Sequence, residues 1–85
     1  MKSRSFIVDG KPVNNHLIIE DSGFEYFVSY NSIIVKKQGK HVVALGKNWN
    51  YSRTTSKYRS IYLGESTRET QAKVNAGEYF VDKNL

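Results

Sequence analysis

The chain has no cysteine, one proline and one methionine. Without thiols there is no disulfide, no thiolate metal site and no thiol nucleophile, which fits a reducing compartment. A single proline beside six glycines argues against a linker or a low-complexity segment. No apolar run approaches the roughly 20 residues that cross a bilayer. The opening MKSRSFIVDGK has only three apolar residues between Ser5 and Asp9, far short of a signal-peptide core. A soluble, cytoplasmic protein with no membrane partner is expected. Glycine-rich phosphate loops and nucleophile motifs are also missing. His16 and His41 fall at the starts of different predicted strands and read as surface or strand-end histidines. Glu20, Asp21 and Glu25 gather at a turn but lack the ligand count and spacing of a calcium loop. The expectation is a protein that is not an enzyme and carries no cofactor or metal.

The remaining absence is of one sign of charge. Residues 26–64 contain no aspartate or glutamate, yet hold Lys36, Lys37, Lys40, Lys47, Arg53, Lys57 and Arg59. All the excess of the +5 net charge therefore sits mid-chain, between two flanks that are each slightly acidic. Such asymmetry points to an anionic partner and bears on association, not on fold.

What is present is enough for one domain. With 85 residues, 39% of them hydrophobic and 13% aromatic, the chain is globular with a modest core. Its first half reads as a meander of antiparallel strands. Ser5–Val8 and Pro12–Val13 flank the Asp9-Gly10 tight-turn signal, and His16–Glu20 is a further run. Asp21-Ser22-Gly23 leads into FEYFVSY, where Phe24, Tyr26, Val28 and Tyr30 share a face by the two-residue period. Asn31 bends the chain into SIIVKK, and Gln38-Gly39 returns it into HVVAL. The period then changes. Thr54 or Thr55 caps a short helix whose stripe of Thr55, Tyr58, Ile61 and Tyr62 faces the sheet, with Gly64 at its end. Ser66 to Glu69 is a capping box opening a second helix, with a Glu69–Lys73 pair and an end at Gly77. Glu78–Val81 is the last strand. The fold class expected is α+β: a curled antiparallel sheet of four to six strands with two short helices near the C-terminus.

The stretch KNWNYSRTTSKYRSIYLG, Lys47 to Gly64, concentrates the candidate site. Trp49 and Tyr51 alternate with asparagines ahead of the helix, a composition that stacks bases and hydrogen-bonds their edges. A lone tryptophan is equally a core anchor between sheet and helix. Arg53 and Lys57, four residues apart, fall on the solvent side of the helix, with Arg59 at its flank. Lys36, Lys37 and Lys40 gather at a hairpin tip, where they either guard a strand edge or extend the same surface. The candidate nucleic-acid-binding set is thus Lys36, Lys37, Lys40, Lys47, Trp49, Tyr51, Arg53, Lys57 and Arg59.

Three segments carry a resemblance. SYNSII (Ser29–Ile34), NYSRTTSKYRSIYLGES (Asn50–Ser66) and GEYF (Gly77–Phe80) resemble a small domain of unknown function found in tailed-phage and prophage proteins. The likeness runs from about Ser29 to Val81, with Tyr62 at a phenylalanine position and Ile34-Val35 in place of Ile-Ala. It implies a phage origin and a life in the bacterial cytoplasm, and it transfers no functional residue. Two functions are expected on these grounds. One is a phage accessory protein binding DNA or RNA through residues 36–59. The other is a phage protein that binds and redirects a host protein such as a polymerase, nuclease or defence factor, with Tyr26, Tyr30 or Trp49 as anchors. A homodimer joined through a sheet edge is a third.

Overall fold

Four two-residue turns organise the first half of the chain. In the computed structural model, which describes residues Met1–Leu85, they join β1 (Lys2–Val8), β2 (Lys11–Asp21), β3 (Phe24–Ser29), β4 (Ser32–Gln38) and β5 (His41–Gly46). Asp9-Gly10, Ser22-Gly23 and Tyr30-Asn31 hold both central residues at positive φ, as type I′ turns require. At Gly39-Lys40 only the glycine does, the pattern of a II′ turn. These turns twist with the strands they join, so every neighbour in the chain becomes a neighbour in the sheet. The helices α1 (Arg53–Leu63) and α2 (Thr67–Asn75) follow, then β6 (Val81–Asp82).

The sheet order is β1-β2-β3-β4-β5-β6, antiparallel from β1 to β5. The α+β class and the two late helices are as expected, but the sheet is mixed. β6 runs parallel to β5, pairing Leu45 with Val81 and Gly46 with Asp82. The chain leaves β5, crosses one face of the sheet through both helices and re-enters in the direction of β5, the kind of connection parallel pairing needs. Residues 78 and 79 do not belong to this strand. Their N–H groups bond back to the Lys73 carbonyl at the end of α2. β2 is likewise one strand instead of two separate runs, irregular at Asn14-Asn15, where Asn15 takes φ 65.

One row of side chains makes the core. Ile18, Phe27, Val35 and Leu45 are cross-strand partners on the helix-facing side, all under 5% exposed. Phe27 stacks on Tyr62 of α1 with ring centroids 4.8 Å apart, and Phe6 of β1 meets Phe27 edge-on at 5.0 Å. Phe24, Tyr26 and Val28 share the other face, as their period predicts. Tyr30 leaves that row because its turn swings it to the helix side, where it meets the His16 ring at 5.4 Å.

The caps set the helix positions. Ser52, not a threonine, starts α1 by accepting from the Thr55 N–H, and Gly64 ends it in the left-handed region. This phase turns Thr55, Tyr58, Arg59 and Tyr62 inward and leaves Ile61 46% exposed, so the expected stripe is rotated by one flank. Both halves of the Ser66/Glu69 capping box form at α2. Lys73, however, pairs with Glu65 at 2.8 Å and not with Glu69. Glu65 is nearly buried and collects three donors, whereas Glu69 turns back to the Ser66 N–H.

Candidate nucleic-acid interface

Residues 47–52 are a folded connection and not a free loop. The Trp49 N–H bonds to the Gly46 carbonyl and the Tyr51 N–H to that of Asn48, giving two successive tight turns. Asn48 donates to Ser32 Oγ at 3.2 Å, and Asn50 accepts from Ser56 Oγ at 2.7 Å, pinning the segment to β4 and to α1. Within it, Trp49 turns into the core at 8% exposure while Tyr51 stands out at 77%. Of the two aromatic candidates, only Tyr51 presents a face to solvent; Trp49 is the core anchor.

Arg59 departs furthest from expectation. It is fully buried, with its guanidinium carbon 5.0 Å from the Trp49 ring centroid. It donates to the Trp49 carbonyl, to Thr67 Oγ1 at 2.7 Å and to Ser60 Oγ at 3.3 Å. Burial pushes this guanidinium below its ordinary value, with the charge of Glu65 partly opposing. The inward rotation of α1 makes Arg59 an internal brace between the helix, the tryptophan turn and the start of α2. It offers nothing to a phosphate.

The lysines divide between two ends of the molecule. Lys40 lies in the β4–β5 turn, beside the β2–β3 turn that carries Asp21. The Ser52 end of α1 sits instead against Ser29 and Ser32, at the far end of β4. Seven residues of strand separate these ends, about 20 Å. Lys36 packs on the open face, 4.3 Å from the Phe24 ring centroid, and Lys37 on the helix face, 4.9 Å from that of Tyr62. The hairpin tip therefore does not extend the basic surface of the helix start.

Lys47, Tyr51, Arg53 and Lys57 remain together at the helix start, all exposed. None of the cations between residues 26 and 64 meets a carboxylate. The ion pairs are Arg4 with Glu20 and Glu25, and Lys73 with Glu65. Arg4 thus engages two of the three acidic residues at the β2–β3 turn. Two open clefts flank this surface on either side of Tyr30. One, of about 560 Å³, lies between the β1–β2 hairpin and α1, with Lys11 and Lys57 on its rim. The other, about 340 Å³, runs from Ser32 to Tyr51. Sequence reasoning missed Tyr30 and Lys11 as members. The Tyr-Asn pair between two strands was the signal, because a two-residue turn puts its first side chain outside the strand alternation.

Beneath the clefts lies a buried polar chain. His16 is 1% exposed, not a surface histidine, because it shares the helix-facing side of β2 with Ile18, two residues on in unbroken register with β3. Its Nδ1 faces only the Asn14 carbonyl, at 2.8 Å, and so carries the proton. In the neutral ring Nε2 then accepts from the Ser29 hydroxyl at 2.9 Å, which leaves Ser29 Oγ to accept from Thr55 at 3.0 Å. Every donor in this series has an acceptor. It ties β2, β3 and α1 together under the clefts, and α1 covers the serine.

No helix is long and apolar enough to cross a membrane. No curated protein and no solved structure matches the chain. A model of a family of unknown function, DUF8033, matches residues 3–79, and the chain belongs to that family.

Proposed function

We propose that this is a small phage accessory protein that binds nucleic acid at the helix-start end of its sheet. The observation that carries the reading is the set of cations at this end, Lys47, Arg53 and Lys57, which no carboxylate neutralises, around the exposed Tyr51. Exposed cations without a carboxylate partner, beside an aromatic face, match the two things every nucleotide offers, a phosphate and a π-surface. The phage assignment rests on the Ser29–Ile34, Asn50–Ser66 and Gly77–Phe80 segments.

Fluorescence anisotropy of labelled single-stranded DNA, single-stranded RNA and duplex, in rising salt, tests it. Three phosphate contacts to a single strand give a slope of log K against log salt of about −2. Arg53→Ala/Lys57→Ala removes two of them and brings the slope to about −0.7. A slope near zero, or one unchanged in the double variant, overturns the proposal. A single host protein recovered in its place would move this surface to the protein-binding reading.

A further inference from the structure

Tyr30 sits in a backbone conformation that its side chain does not favour. It occupies the first central position of the β3–β4 turn at φ 48, where glycine, asparagine or aspartate is the usual residue. A bulky residue there is strained, its β-carbon crowding the following carbonyl oxygen. The position is held by a bond from the Tyr30 N–H to the Asn15 carbonyl at 2.9 Å, at the irregular Asn14-Asn15 step of β2. The ring nevertheless stays 53% exposed. The fold thus holds a strained turn and presents an aromatic face between the two clefts, a placement that core packing does not require.

The larger cleft has the complement of one nucleotide. The rings of Tyr30 and Tyr58 both stand against that of His16, with centroids 5.4 and 4.9 Å from it, so three aromatic groups bound one space. Ile61, 46% exposed, continues the apolar wall along α1. The rim is polar and mostly cationic, with Lys11 on the hairpin side and Lys57 on the helix side. Asp9 gives the rim one carboxylate, which suits base N–H or sugar hydroxyl donors. His16, buried with both nitrogens engaged, backs the two tyrosines from beneath and offers a ligand no hydrogen bond.

We infer that this cleft takes one unstacked base of a single strand against Tyr30 and Tyr58, with the adjoining phosphates on Lys57 and Lys11. The inference rests on the proposed nucleic-acid reading and sharpens it to single strands, since a base within a duplex cannot leave its stack without added cost.

The test uses a single-stranded oligonucleotide with a central 2-aminopurine, the same oligonucleotide in a duplex, and adenosine monophosphate followed by NMR. Tyr30→Asn is the variant of choice because asparagine accepts the turn conformation, so the fold is not put at risk. The expected result is quenching of 2-aminopurine by the native protein, a preference for single strand over duplex of at least about tenfold, and mononucleotide-induced shifts at Lys11, Lys57 and Tyr58. Tyr30→Asn should lose the quench and weaken single-strand binding by about five- to a hundredfold. Native affinity and quench in Tyr30→Asn, or equal binding of duplex, overturns the cleft. If salt-dependent binding through Arg53 and Lys57 persists in that case, the broader reading stands. Absence of binding by every oligonucleotide and by the mononucleotide overturns both.

Discussion

Replacing Arg59 with alanine should remove a large part of the stability of this protein. A charged side chain inside an 85-residue domain is costly unless its hydrogen bonds are met, and here a backbone carbonyl and two hydroxyls serve the two terminal nitrogens while Nε has no partner and no carboxylate pairs the charge. Truncation to alanine leaves the Trp49 carbonyl buried and unpartnered, a penalty of about 1–3 kcal/mol. It also opens a cavity beneath the tryptophan ring, for which large-to-alanine changes cost about 2–5 kcal/mol. Relief from desolvating the guanidinium offsets part of this, so a net loss of about 2–4 kcal/mol is expected. Total stability for this length is about 4–13 kcal/mol, and the midpoint of thermal unfolding should fall by roughly 10–30 °C. Arg59→Met keeps the volume and removes the charge, so it should lose about 1–2 kcal/mol. Arg59→Lys keeps the charge on a shorter stem with fewer bonds and should lose more than Arg59→Met. Urea unfolding followed by the fluorescence of Trp49, which touches the site, reads all three variants. An Arg59→Ala loss under about 1 kcal/mol, or Arg59→Lys matching the native protein, would refute the brace.

Two other predictions concern the packing of the fold. Burial tends to raise the Glu65 carboxyl, but bonds from Lys73, Thr70 and Tyr79 outweigh it and hold the group below its ordinary value. Its contribution is therefore present above the unfolded carboxylate pKa of about 4.3 and is lost as pH falls through the lower folded value. Glu65→Gln should lower stability at pH 7 and flatten the acid limb of the stability curve below about pH 4.5. Parallel curves for the two proteins would contradict this. At Gly46, an added β-carbon would lie 1.8 Å from the Ile33 carbonyl oxygen. Gly46→Ala must then force β4 and β5 apart, with a loss of more than about 2 kcal/mol by denaturant titration, and a neutral result would refute that close approach.

The parts of the fold legible in the sequence are those that local chemistry decides. Asp9-Gly10 and Gly23 announce their turns, Ser66 and Glu69 announce a helix start, and Gly64 announces a helix end. Arg59 was illegible because periodicity treats every arginine as a solvent group. Only the phase set by Ser52 shows that residues 55, 59 and 62 face inward together. His16 was illegible because alternation with Ile18 gives its face but not its cover, and only the placement of α1, with Tyr58 against the ring, buries it. The candidate site was half legible. The acid-free segment marked the charge, but whether the hairpin tip lies beside the helix start follows from sheet register, which no local signal carries. The parallel β6 is of the same kind, fixed by where two packed helices return the chain.

Because strand order equals chain order from β1 to β5, each of the first four ladders can close from its own two-residue turn. Such ladders form on the scale of microseconds and involve little loop closure. They also assemble a sheet whose inner row, Ile18, Phe27, Val35 and Leu45, is apolar before anything covers it. During synthesis the meander emerges first, and for the time needed to extend α1 it is a one-sided sheet with an open edge at β5. That interval is when a chaperone or a second nascent copy has most access to the chain. The short connection from Gly46 to Ser52 keeps it brief, because the helix that seals the row follows almost at once.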